Sequence, residues 1–302
     1  MSVSIHLKYR HPLPLCAGGL RKARSVVCVF SVRIVLPVLA FILFVFSAGA
    51  QEIPFDFVDG YILVRARVDA QTVTLVLDSG ASASVLSVEA AHRLHLSLGA
   101  ALPVDGVDAD GTAFEMRPIA PTVAGLSMGE FDMATDLRNA QRLCSERVDG
   151  LIGADFFKGR IVQIDYANHR LRLLASAPAE GEILPLRKQN GVYCLPVSVN
   201  GSKPRWTRLD TGCNDALHWV VPRMATTQEH RGLSIGFITN TDDETLVSVR
   251  LGKMTLPHVE TALHGHAIFP GESGLLGNEV LSQYRVTIDG RAGRIALEPA
   301  AR

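Results

Sequence analysis

Thr72-Val73-Thr74-Leu75-Val76-Leu77-Asp78-Ser79-Gly80 is a β-prone run that stops at an acidic residue, a hydroxyl and a glycine. The strand Tyr61 to Val68 and a short polar turn precede it. The chain then does the same again: a strand from Val192 to Val199, the turn Asn200-Gly201 and a strand ending at Leu209 lead into Asp210-Thr211-Gly212. An Asp-[Ser/Thr]-Gly triplet is expected by composition about 0.1 to 0.2 times in a chain of this length. One copy would read as an ordinary strand-end turn, since Asp and Gly are common turn formers. Two copies in matching surroundings carry more weight.

The repeat extends downstream. Gly150-Leu151-Ile152-Gly153 matches Gly274-Leu275-Leu276-Gly277 at an offset of 124 residues (277 − 153). The same offset pairs Ile164-Asp165 with Ile288-Asp289, Arg170 with Arg294, Leu171 with Ile295 and Leu173 with Leu297. Self-similarity that stays in register over this distance indicates two copies of one unit. Short runs of Val, Ile and Leu punctuated by Gly, Asn and Asp make the class mainly β. Ala175 to Gly181, small residues with one proline, mark a linker between the halves. The expected organisation is an N-terminal lobe over 51–174, a linker over 175–182 and a C-terminal lobe over 183–302.

These motifs resemble those of the aspartic peptidases of the pepsin and retropepsin type, over about Tyr61 to Leu297. The resemblance implies a bilobal acid-protease fold, with two similar β-barrel-like lobes and the active-site cleft between them. Asp78 and Asp210 would then be the catalytic pair. Ser79 and Thr211 match the positions whose hydroxyls cross-link the two Asp loops. Gly80 and Gly212 would let the backbone approach closely and aim N–H groups at the carboxylates. Leu151-Ile152-Gly153 and Leu275-Leu276-Gly277 match the segments that thread behind the Asp loops. Asp105-Gly106-Val107-Asp108-Ala109-Asp110-Gly111 lies where the family places a flap, without the tyrosine that pepsin-like flaps carry; Thr239 to Glu244 is its candidate counterpart in the second half. Ala81 and Cys213 stand where pepsin-like lobes usually have Ser or Thr. Spacings of 75 (153 − 78) and 67 (277 − 210) residues describe compact lobes, so the whole looks like two fused retropepsin-like units.

The chemistry stands beside the resemblance. Two carboxylates held about 3 Å apart cannot both ionise cheaply, so they share a proton. The ionised member can activate a water, and the protonated member can donate to a substrate carbonyl. The expected activity is therefore that of an aspartic endopeptidase acting on polypeptides. A catalytically idle relative that binds peptides or envelope components is the alternative; such a relative would be free to lose either Asp.

Other classes find little support. Lys plus Arg and Asp plus Glu number thirty each, so no overall field draws the chain to nucleic acid. No Gly-x-Ser-x-Gly elbow, glycine-rich phosphate loop or His-Glu-x-x-His motif is present. His258, His264 and His266, and His92 with His95 on an expected helix, read as surface histidines. Neither a metal nor a cofactor is expected.

The N-terminus has its own signature. Basic residues from Lys8 to Arg33 precede the apolar run Ile34 to Phe46, then Ser47-Ala48-Gly49-Ala50. Thirteen apolar residues fit a signal-peptide core and fall short of the roughly 20 of a spanning helix. Residues 1–50 are thus expected to be a signal peptide or an N-terminal anchor, and the protein an exported, periplasmic or secreted monomer. It would meet a membrane only through an uncleaved anchor. Cleavage before Gln51 would leave no room for an inhibitory prosegment, so the enzyme is expected to be active after export. Of five cysteines, Cys144, Cys194 and Cys213 would remain; three is odd, so at least one thiol stays free or pairs between chains.

Overall fold

The computed structural model describes residues 51–105, 110–221, 230–234, 237–241 and 243–300. Among them the fold is built from β-strands with three short α-helices and one 3-10 turn. No helix of the described residues is long and apolar enough to cross a membrane.

The strand Tyr61–Val68 is buried at its first four residues and then alternates, with Arg65 and Arg67 exposed. Period 2 explains this. Ile62, Val64, Ala66 and Val68 face the main core, whereas Tyr61 and Leu63 face a smaller cluster with Val76, Leu137, Ala140 and Leu151. Where the smaller cluster ends, the outer face meets water and arginines become tolerable. A tight turn at Asp69 returns the chain as Gln71–Leu77, paired antiparallel with Leu63 opposite Val76. Each side chain fully buried here contributes about 1.5–3 kcal/mol relative to exposure.

The apolar-apolar-glycine segment Gly150–Ile152 runs parallel beside this strand, Ile152 opposite Leu77, and antiparallel to Val85–Ser87. The second half repeats the arrangement. Gly274–Leu276 runs parallel to Arg205–Leu209, with Leu276 opposite Leu209, and antiparallel to Leu217–Val220. Each segment also anchors its Asp: Asp78 N–H donates to Ile152 O at 2.9 Å and Asp210 N–H to Leu276 O at 3.0 Å.

A six-stranded antiparallel sheet joins the halves. Gln51–Pro54, Arg170–Leu173 and Ile161–Asp165 come from the first, and Tyr284–Asp289, Arg294–Pro299 and Glu182–Pro185 from the second, in that spatial order. At its centre Ile161 opposes Asp289, Gln163 opposes Thr287 and Asp165 opposes Arg285. The pairing is unchanged when each residue is exchanged for the one 124 positions away. The pair that maps onto itself under this exchange is Gln163 with Thr287, where Gln163 Nε2 donates to Thr287 Oγ1 at 3.2 Å. One hydrophobic core runs through both halves, with Val162, Ile164, Val286 and Ile288 in its middle. That shared core and sheet set the two Asp loops against each other.

The first helix, Val88–Arg93, is capped by Ser87, whose Oγ accepts from Ala90 N–H at 3.0 Å. His92 lies in it, but His95 lies past its end with φ of 57°. The helical expectation for His95 is therefore corrected: the chain turns out of the helix at Leu94 and runs on to Leu98–Asp105. Cys144, Cys194 and Cys213 are all buried free thiols.

Candidate active site

The Asp78 and Asp210 loops meet through reciprocal hydrogen bonds. Ser79 N–H donates to Thr211 Oγ1 at 2.9 Å and Thr211 N–H to Ser79 Oγ at 3.1 Å. The hydroxyls in turn donate to the opposite strand ends, Ser79 Oγ to Leu209 O and Thr211 Oγ1 to Leu77 O, both at 2.7 Å. Ser79 and Thr211 are fully buried. Four bonds thus cross between the halves from two adjacent residues.

This junction brings the two carboxyls together. Both Asp side chains are buried, and the ionisation of each acts on the other. Each glycine packs on the opposite acid: a Cβ built on Gly80 would collide with the Asp210 carboxyl, and one on Gly212 with that of Asp78. Glycine is required here for space, since neither residue has a positive φ.

The loop amides treat the acids unequally. Asp78 Oδ1 accepts from the N–H groups of Gly80 and Ala81, both at 2.9 Å. Asp210 Oδ1 accepts from Gly212 N–H at 2.9 Å, while Cys213 N–H bonds the Asp210 backbone carbonyl at 3.4 Å. Burial, then the negative charge of Asp210, pushes the Asp78 carboxyl well above the usual carboxylate range. Burial raises Asp210 too, but the Arg208 guanidinium opposes it most, followed by Gly212 N–H. Both acids are thus raised by burial, and they titrate as one pair that shares a proton.

Arg208 is a residue that motif reading passed over. It is buried against Glu272 in a two-pronged ion pair at 2.7 and 2.8 Å, lies 3.3 Å over the Phe269 ring and donates to Gly80 O at 2.8 Å. Asn190 Nδ2 completes the Glu272 shell at 2.7 Å. The only local signal was a charge inside an otherwise buried strand end. Asn278 was missed as well. Its Nδ2 donates to Thr211 O at 2.7 Å and Gly60 O at 2.8 Å, and its Oδ1 accepts from Tyr166 Oη at 2.8 Å.

The candidate flap is only partly described. Asp105 and Asp110 close a hairpin between Leu98–Asp105 and Asp110–Ile119, and Gly111 pairs with Val104. Gly106, Val107, Asp108 and Ala109 lie outside the described residues. In the second half, Thr239 to Thr241 belong to the strand Phe237–Thr241, and Asp243 and Glu244 begin the next strand. His264 is buried, whereas His258 and His266 are exposed, so that histidine group is dispersed.

Residues 64–156 match the family model of aspartyl proteases, from the strand before Asp78 through Gly153 to Phe156. The chain carries an aspartyl protease domain of the retropepsin type. No curated protein matches it. The match covers the first Asp loop alone, so the second loop relies on the sequence repeat and on geometry. Within this protease domain and its second-half counterpart, the reciprocal Ser79–Thr211 bonds and the anchoring of each Asp N–H to the apolar-apolar-glycine segment recur at both loops.

Proposed function

We propose that the chain is an aspartic endopeptidase in which Asp78 and Asp210 jointly activate a water. The observation that carries this is the contact between two buried carboxyls, one from each half, held by reciprocal Ser79–Thr211 bonds. Asp210, whose charge Arg208 favours, takes a proton from the attacking water. Asp78 donates its proton to the scissile carbonyl oxygen, and the tetrahedral intermediate collapses without a covalent enzyme adduct. The pair is active while it holds one proton, which supports cleavage on the acidic side of neutrality. The basic apolar signature of residues 1–50 supports a protein exported to the periplasm or medium, or anchored there by that segment.

The test is cleavage of a random peptide pool across pH, with wild type, Asp78→Asn and Asp210→Asn, with and without an inhibitor that mimics the tetrahedral intermediate. Each substitution should abolish cleavage, and the double variant should be scarcely worse than either single one, because the carboxyls act as a unit. Equal cleavage by all variants would assign the activity elsewhere.

A further inference from the structure

Behind the Asp210 loop lies a second set of donor atoms. Cys213, Asp215 and His218 each contribute one ligand atom, a sulfur, a carboxylate oxygen and a ring nitrogen, and these lie within 4.8 Å of one another. All three come from one short stretch, the loop leaving Asp210 and the strand Leu217–Val220. Cys213 and His218 are fully buried, while the Asp215 side chain is 48% exposed and opens the cluster to solvent.

The His218 ring is held at both nitrogens. Nε2 lies 2.9 Å from Asp215 Oδ2, and Nδ1 lies 2.9 Å from His264 Nε2. A metal-ligating imidazole commonly has its second nitrogen fixed in this way, which sets its tautomer. Two polar atoms of this region, Tyr61 Oη and Asn214 Oδ1, are buried and without a hydrogen-bond partner. Tyr61 is fully buried and follows Gly60, which packs directly against Asn214, the residue between Cys213 and Asp215. Leaving such atoms unmatched costs about 1–3 kcal/mol each. A polar occupant would meet them.

We propose that Cys213, Asp215 and His218 form a binding site for a thiophilic divalent metal ion of zinc type. Sulfur, imidazole and carboxylate together suit zinc, which takes three such ligands with a water in the fourth position. On binding, Cys213 releases its proton to solvent as the metal–sulfur bond forms. His218 binds through Nε2 and keeps its proton on Nδ1, directed at His264 Nε2, and the Asp215 carboxylate exchanges its contact with the imidazole for the ion.

The test reads metal binding directly and does not depend on peptidase activity. The full-length protein, kept reduced, is titrated with Co2+ and then with Zn2+. One equivalent of Co2+ should give a thiolate-to-cobalt charge-transfer band that Zn2+ abolishes. Cys213→Ser should lose the band, and Asp215→Asn, a change at a half-exposed side chain, should bind roughly tenfold more weakly or worse. If Cys213→Ser does not fold, the Asp215→Asn affinity decides. No band in the wild type, a band that persists in folded Cys213→Ser, or unchanged affinity in Asp215→Asn each overturns the site.

Discussion

Ser79 and Thr211 each accept a hydrogen bond from the other's backbone N–H and each donate to the carbonyl two residues before the other. Because both are fully buried, removing one hydroxyl strands a donor and an acceptor from water. Thr211→Ala is expected to destabilise the protein by about 2–6 kcal/mol, from two unmatched groups at about 1–3 kcal/mol each. Thr211→Ser keeps the hydroxyl and should cost about 1 kcal/mol, the loss of one buried methyl group. Urea unfolding of both variants measures the difference; equal losses would show that the hydroxyl bonds contribute little.

The raised Asp78 carboxyl makes stability depend on pH. Its folded pKa lies above the ordinary value of 3.8, so between the two the folded state holds more protons than the unfolded one. Stability from this group is complete below 3.8 and falls as pH rises toward the folded pKa. Asp78→Asn removes the titration. The variant should therefore gain stability over wild type as pH rises from about 4 toward neutrality, the gap widening by about 1.4 kcal/mol per pH unit until the folded pKa is passed. Unfolding midpoints across that range check the sign, and a gap that shrinks with pH would contradict it.

Arg208 ties the ionisation of Asp210 to a buried ion pair. Arg208→Met leaves Glu272 charged and unpaired, at an expected cost of about 3–5 kcal/mol. Adding Glu272→Gln should recover part of that loss. In the folded double variant the acidic limb of the peptide-cleavage profile should move to higher pH, because the group that most lowers Asp210 is gone. An unmoved limb would separate Arg208 from the ionisation of the pair.

Gly80 and Gly212 face carboxyls that leave no room for a methyl group. Gly80→Ala should displace Asp210, and Gly212→Ala should displace Asp78. A displacement near 1 Å of a reacting group costs about a hundredfold in rate. Cleavage by either alanine variant is expected to fall at least that far, with circular dichroism confirming that the β structure persists. Rates near wild type would mean that the loops relax without moving the acids.

The repeated strand, Asp-Ser/Thr-Gly turn and apolar-apolar-glycine segment were legible because each is a local pattern: period-2 burial, a turn signal and a fixed offset of 124 residues (277 − 153). The spans Tyr61–Val68 and Val192–Val199 read from composition coincide with the strands. The partners around the acids depend on distances along the chain that no local pattern encodes. Arg208 meets Glu272 64 residues away, and Asn278 reaches Gly60 218 residues away. His218 was invisible as a donor because a single histidine on a buried strand resembles any core residue until the chain turns bring Cys213, Asp215 and His264 around it. By itself, the sequence determined that two similar β units each present one aspartate at a strand end. That the two acids are raised and share a proton was decided only by tertiary packing, because desolvation and the field of Arg208 act through space and exist only once the core has closed.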